Sequence, residues 1–207
     1  LTADRAHLTA DTVRTFLEHN DELQYILLHA DDGSVDTSND QIAEAAGFET
    51  VYRHHGRRLG QIPALHCMWH DAVTRGAEWI LHLENDQEFV APIPERRDAD
   101  SVRLYGEYKA RPGAPRARAG ATIWGLNVKA VWRPMDDEWE RGTIHWGAQP
   151  SITRASLLLD GIRGAQKVHD VAARLRFLDT LRPRKNITWH TDPGHSTPGH
   201  YLAKDKK

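Results

Sequence analysis

A chain of 207 residues is long enough to enclose one substantial core, and residues 1–207 are read as a single domain. A formal net charge of −2 argues against a protein that coats nucleic acid by bulk charge, although it leaves room for a local basic patch. The single cysteine, Cys67, excludes an intramolecular disulfide and a thiolate cluster; with no apolar run of ~20 residues and no signal-peptide pattern, the expectation is a cytoplasmic protein without a transmembrane segment.

In chain order, Leu1-Thr2-Ala3-Asp4-Arg5 reads as the end of a strand whose start is expected upstream. Thr9 is placed to cap a helix running to about Asn20, with Val13, Phe16 and Leu17 forming its buried stripe. Tyr25 to His29 is the next expected strand, closed by the acidic turn Ala30-Asp31-Asp32-Gly33-Ser34-Val35-Asp36. Ser38 or Asn39 caps a short helix that stops at Gly47, and Phe48 to Tyr52 is a further strand. This alternation implies parallel strands joined by right-handed crossovers.

The basic, histidine-rich segment from Arg53 to Gly60 leads into a helix with Pro63 in its first turn and Gly76 past its end. After the Trp79 strand, Pro92 and Pro94 break the alternation. Ser101 to Tyr105 and Thr122 to Val131 are expected strands of a mixed sheet, separated by a loop, Lys109 to Gly120, that carries Lys109, Arg111, Arg116 and Arg118. Arg154 to Leu159 and Val168 to Leu178 read as helices, and Asn186 to Trp189 as a short strand before a histidine-bearing tail.

The chemistry is expected around Trp79 to Phe89. Here an apolar run, Trp79, Ile80, Leu81 and Leu83, has the pattern of a strand buried on both faces, and it stops at Glu84, Asp86 and Glu88. Ligands of open α/β sheets bind at the carboxyl ends of strands, and carboxylates at i and i+2 both reach a hard cation such as Mg²⁺ or Mn²⁺.

The strings Thr2-Ala3-Asp4-Arg5, Asp31-Asp32-Gly33-Ser34-Val35-Asp36, Arg58-Leu59-Gly60, Glu84-Asn85-Asp86 and His169-Asp170 follow one another in that order. In this the chain resembles the nucleotide-sugar-dependent glycosyltransferases of the GT-A fold, especially the family 2 group. The resemblance implies an α/β, Rossmann-like central sheet, mixed but mostly parallel and flanked by helices. About residues 1–90 would bind a nucleoside diphosphate sugar, with UDP as the nucleotide, and about residues 91–207 the acceptor. It also implies metal-dependent transfer with inversion, in which Asp31, Asp32, Arg58 and Asn85 bind the donor and Asp86 and Glu84 hold Mn²⁺ or Mg²⁺. A tail histidine would complete the metal shell, His190 first because it follows an apolar strand and His195 second. Asp170 would be the general base, although an acid in a helix's first turn is also a good cap. This chain departs from the family pattern at Asp4, Leu65-His66, Glu84 and His169.

For the acceptor, the resemblance points to the second half, where Trp124 and Trp146 offer aromatic faces and Arg116 and Arg118 positive charge. A phosphate-bearing acceptor suits that loop, a hydroxymethylated base in DNA among them, since the DNA-modifying glycosyltransferases of phages are small and soluble. A saccharide or lipid-phosphate acceptor is the alternative. The competing classes are a non-catalytic nucleotide-sugar-binding module and a metal hydrolase organised by the tail histidines.

Overall fold

A computed structural model describes residues 1–20, 25–54, 56–105, 131–144, 146 and 150–191. Among them the architecture is mixed α/β. The first helix, α1 (Ala6–Asn20), precedes two parallel strands, β1 (Leu28–Asp32) and β2 (Glu49–His54), joined by α2 (Ser38–Ala45). Strand β1 begins later than Tyr25 and runs through both acids, because Asp31 and Asp32 pair in register with Arg53 and His54. Helix α3 (Gln61–Thr74) follows, with Gly60 before it and Gly76 beyond its end, both at positive φ as helix boundaries favour.

Strand β3 (Trp79–His82) opens a six-stranded sheet of order β3, β8 (Ser151–Arg154), β5 (Ser101–Arg103), β9 (Leu178–Pro183), β7 (Trp139–Ile144), β6 (Trp132–Pro134). The expectation of a mostly parallel sheet is corrected here. Of the pairings in this sheet only β5 with β9 is parallel. Strands β6 and β7, consecutive in the chain, pair directly, as short connections allow only for antiparallel neighbours. The helix expected over Val168 to Leu178 is also shorter: α5 (Val168–Arg174) ends before Phe177, which has a φ of 58°, and Leu178 starts β9. A second small pairing joins β4 (Gln87–Phe89) to β10 (Thr188–His190).

Residues 1 and 2 stand between the two main sheets. Thr2 N–H donates to the Ala30 carbonyl (2.9 Å) and Asp32 N–H to the Thr2 carbonyl (2.9 Å), while the Leu1 nitrogen donates to Leu83 O (2.9 Å). Since β5 and β9 run with β3, the carboxyl ends of β1, β2, β3, β5 and β9 point to one rim.

Two apolar clusters lie across β3. Ile80 joins Leu65, Trp69, Trp146 and Leu158 from α3, α4 (Ala155–Ile162) and the chain between β7 and β8. Trp79, Leu81 and Leu83 pack instead on Phe16, Phe89, Val102 and Leu181. The expected burial on both faces is therefore observed, deeper for Ile80 and His82 than for Trp79 and Leu81. None of the helices among the described residues is long and apolar enough to cross a membrane.

Candidate functional site

At the end of β1 the two adjacent aspartates have different surroundings. Asp31 is fully buried, and its carboxylate accepts from Ser34 N–H (2.8 Å), Ser34 Oγ (2.5 Å), Thr2 Oγ1 (2.9 Å) and Asn39 Nδ2 (3.3 Å). Burial works to raise its pKa, yet these donors outweigh it and hold Asp31 below the usual carboxylate range. Asp31, expected to touch the donor, thus spends its oxygens closing the turn. Asp32 accepts from Leu59 N–H through Oδ1 (3.0 Å) and meets no protein donor at Oδ2 among the described residues.

Gly33 between this pair and Ser34 has a φ of 90°, and a Cβ there would meet Arg58 N at 2.6 Å and Arg57 C at 2.7 Å. Its missing side chain lets the β1 turn lie directly on the Arg57-Arg58 backbone.

Asp4 and Arg5, both at positive φ (52° and 58°), tie the rim together. The Asp4 carboxylate accepts from Val35 N–H (3.0 Å) and the Arg58 guanidinium (2.9 Å), and its carbonyl accepts from Asn39 Nδ2 (3.0 Å) and Asn85 Nδ2 (3.1 Å). Arg5 donates to Asn85 Oδ1 (2.9 Å) and lies 3.5 Å from Asp86 Oδ2. Through these two residues the ends of β1, β2 and β3 form one hydrogen-bonded network. Asn85, expected to contact the donor, has both ends of its amide committed to this frame, with Thr9 Oγ1 as a further partner (3.3 Å).

The Asp86 side chain is 2% exposed and accepts from Gln87 Nε2 (3.0 Å); Glu84 is half-buried and accepts from Gln61 Nε2 (3.2 Å). Strand β10 runs beside this acidic end: His190 pairs with Gln87 in register, and Thr191 N–H donates to the Asp86 carbonyl (2.9 Å). The backbone of His190 is thereby brought next to Asp86, while His195 lies outside the described residues. In chemistry, the oxygens of Glu84 and Asp86 suit a hard divalent cation. The group of three potential ligands that lies closest together among the described residues is a different one, His29, Asp31 and Asp40. Those atoms are already engaged. His29 faces Thr2 Oγ1 (2.8 Å) and Thr50 Oγ1 (3.1 Å), and Asp40 meets Arg53 Nε (2.8 Å). Burial above all pushes His29 down to about 3, so it is a neutral member of that network.

Two further residues are placed away from their expected roles. Asp170 Oδ2 accepts from Gln166 N–H and Lys167 N–H, both at 2.9 Å, which is the cap reading; these two bonds hold it below the usual range and weaken it as a base. Trp146, expected to face the acceptor, is 2% exposed and stacks edge-on against Trp69 (5.4 Å between centroids) and obliquely on His82 (6.0 Å), so it is a core residue. Trp124, Arg116 and Arg118 lie outside the described residues.

Arg5 stands in the first motif string and Thr9 and Asn39 were expected only as helix caps; Thr9 instead lies inside α1, and all three join the rim network, a role that their side-chain types are too common to signal. A cavity of about 330 Å³ also opens between the edges of β1 and β3, lined by Phe16, Leu28, Met68 and Ile80 and reaching Glu84 and Asn85 at one end. Its apolar walls do not suit a diphosphate. No family model matches the chain, and no curated protein matches it.

Proposed function

We propose that this chain is a GT-A-like glycosyltransferase that takes its sugar from a nucleoside diphosphate sugar. The observation that carries the reading is Asp32: a carboxylate at a parallel strand's end, with one oxygen fixed by Leu59 N–H and the other open, inside a rim that also holds Arg58, Glu84 and Asp86. Asp32 Oδ2 accepts hydrogen bonds from the nucleoside, as only an acceptor can. The Arg58 guanidinium, 61% exposed and anchored by Asp4, faces the charge of the diphosphate. Glu84 and Asp86 would hold Mn²⁺ or Mg²⁺. When bound, such an ion neutralises charge on the departing diphosphate.

A second reading, a nucleotide-sugar-binding module without turnover, is favoured by the engagement of Asp170 as a cap. One experiment separates the two. The protein is incubated with a panel of nucleoside diphosphate sugars and Mn²⁺, with nucleotide release and donor binding both followed. Release that falls in Asp32→Asn and Asp86→Asn supports the transferase. Binding without release on any acceptor supports the module, and no binding to any donor refutes both.

A further inference from the structure

Five arginines among the described residues lie over three tryptophans, and one of the five differs from the rest; Arg96, over Trp139 at 5.4 Å, is paired with Asp136 (3.3 Å). Trp79 has Arg97 and Arg154 over its ring at 5.6 and 4.6 Å. Both of those guanidiniums have partners: Arg97 donates to the Pro94 and Arg96 carbonyls, and Arg154 is ion-paired with Asp100 at 3.9 Å. Trp132 has Arg103 and Arg182 over its ring at 5.7 and 4.3 Å. Arg182 is paired with Glu140 (2.7 Å). Arg103 has ring contacts alone, with Trp132 and with Tyr105 at 5.3 Å, and among the described residues no carboxylate, carbonyl or hydroxyl accepts from it.

An arginine carries five N–H donors, and a half-buried cation without an acceptor is unfavourable unless something supplies one. Burial lowers the Arg103 pKa from its ordinary value, Tyr105 opposes this, and the neighbouring Arg182 charge adds to the lowering; an anion on the two guanidiniums would offset the desolvation and their mutual repulsion. The ring that both cations lie over is held in place: a Cβ on Gly142 would come within 2.8 Å of Trp132 Cε3, so the indole lies directly on the sheet.

The position relates this group to the acidic rim. Arg103 and Arg182 stand at the carboxyl ends of β5 and β9, which run with β3. Leu104, next to Arg103, accepts from Thr188 N–H (2.9 Å), and the strand that begins there lies against β4, which directly follows Asp86.

We propose that Arg103 and Arg182, both over the Trp132 ring and with Tyr105 alongside, form a seat for a phosphate group, and that it holds the phosphate of the acceptor; the second half of this rests on the transferase reading. Two cations share one carboxylate, leaving one positive charge to be met. The fork of Arg103 takes two oxygens of a tetrahedral anion, and a third is left for the free donors of Arg182, which a carboxylate could not supply.

The test uses the whole chain, metal-free in chelator and without nucleotide. Inorganic phosphate, dimethyl phosphate and acetate are titrated in turn, following the Trp132 indole N–H and the arginine Nε–H signals by NMR, with the indole assigned through Trp132→Phe. Saturable shifts with phosphate, at least tenfold weaker in Arg103→Gln and partly restored in Arg103→Lys, are expected. Dimethyl phosphate, with two unesterified oxygens, should bind more weakly than inorganic phosphate, which supports a monoester; binding as tight as that of inorganic phosphate overturns the three-oxygen seat. Equal affinity in wild type and Arg103→Gln, or acetate binding as tightly as phosphate, overturns it. Arg103→Lys keeps the charge, so it remains informative should Arg103→Gln fold poorly. Nucleotide release from donor sugar in the presence of a phosphate-bearing acceptor is measured beside these titrations and should fall in Arg103→Gln. A protein that binds phosphate through Arg103 yet releases nucleotide from no donor supports the seat and overturns only the transferase reading.

Discussion

Exchanging each of the neighbouring aspartates for asparagine separates a structural carboxylate from a ligand-facing one. In Asp31→Asn the new amide nitrogen is itself a donor and must face at least one of the four donors now aimed at Asp31, from Ser34 (two), Thr2 and Asn39. Hydrogen bonds to a charged group contribute about 1.5–3 kcal/mol each, and a buried donor left unsatisfied costs about 1–3 kcal/mol, so a net loss of about 3 kcal/mol is expected. For a chain of this size that corresponds to roughly 6–12 °C in Tm, at about 2–4 °C per kcal/mol. Asp32→Asn keeps an oxygen for Leu59 N–H and should cost less than about 1 kcal/mol, while weakening donor binding roughly tenfold, the effect of about 1.4 kcal/mol. Urea unfolding gives the stabilities and calorimetric titration with UDP-sugar the affinities. Because Asp31 has a folded pKa below its unfolded one, its contribution is present above the ordinary value of about 3.9 and is lost as pH falls through the folded value. Wild type should therefore lose part of its advantage over Asp31→Asn below about pH 4. A loss under about 1 kcal/mol at pH 7 in Asp31→Asn, or equal losses in the two variants, would refute the division of labour.

Gly33→Ala should destabilise by about 2 kcal/mol or more and weaken donor binding, because the new methyl meets Arg57 and Arg58 backbone and the φ is unfavourable; unchanged urea midpoint and affinity would contradict the close approach. Asp170→Asn should lower stability by about 1 kcal/mol, the scale of a lost cap, and leave turnover alone; a rate loss of ~10²-fold at unchanged stability would restore it as the base. His82 is 3% exposed, its Nε2 has no hydrogen-bond partner among the described residues, and burial above all pushes it down to about 3. Its folded pKa lies below the unfolded one, so stability falls as pH drops from about 6.5 toward the folded value, by about 2 kcal/mol for this group at pH 5. Buried His29 acts in the same direction. His82→Leu should lose less stability than wild type between pH 7.5 and pH 5, and parallel losses would show that His82 does not titrate.

Local chemistry accounts for what was legible along the chain. Helix stripes, glycine stops such as Gly47 and Gly76, and the apolar run into Glu84, Asn85 and Asp86 follow from periodicity and backbone preference over a few residues, and they place β1, β2 and β3 to within a few residues, with β1 and β2 running on to Asp32 and His54 beyond their expected ends. The tertiary structure decided which of two identical neighbours, Asp31 or Asp32, keeps an oxygen open, because the answer depends on donors from Thr2, Asn39 and Leu59. It also committed Asn85 to Asp4 and Arg5, drew Trp146 against Trp69, made a strand of Leu178–Pro183 by pairing it with β5 and β7, and left Arg103 with rings in place of an acceptor. Side-chain type and spacing limit what a residue is able to do, whereas its role is set by partners remote in sequence that compete for the same few donors and acceptors.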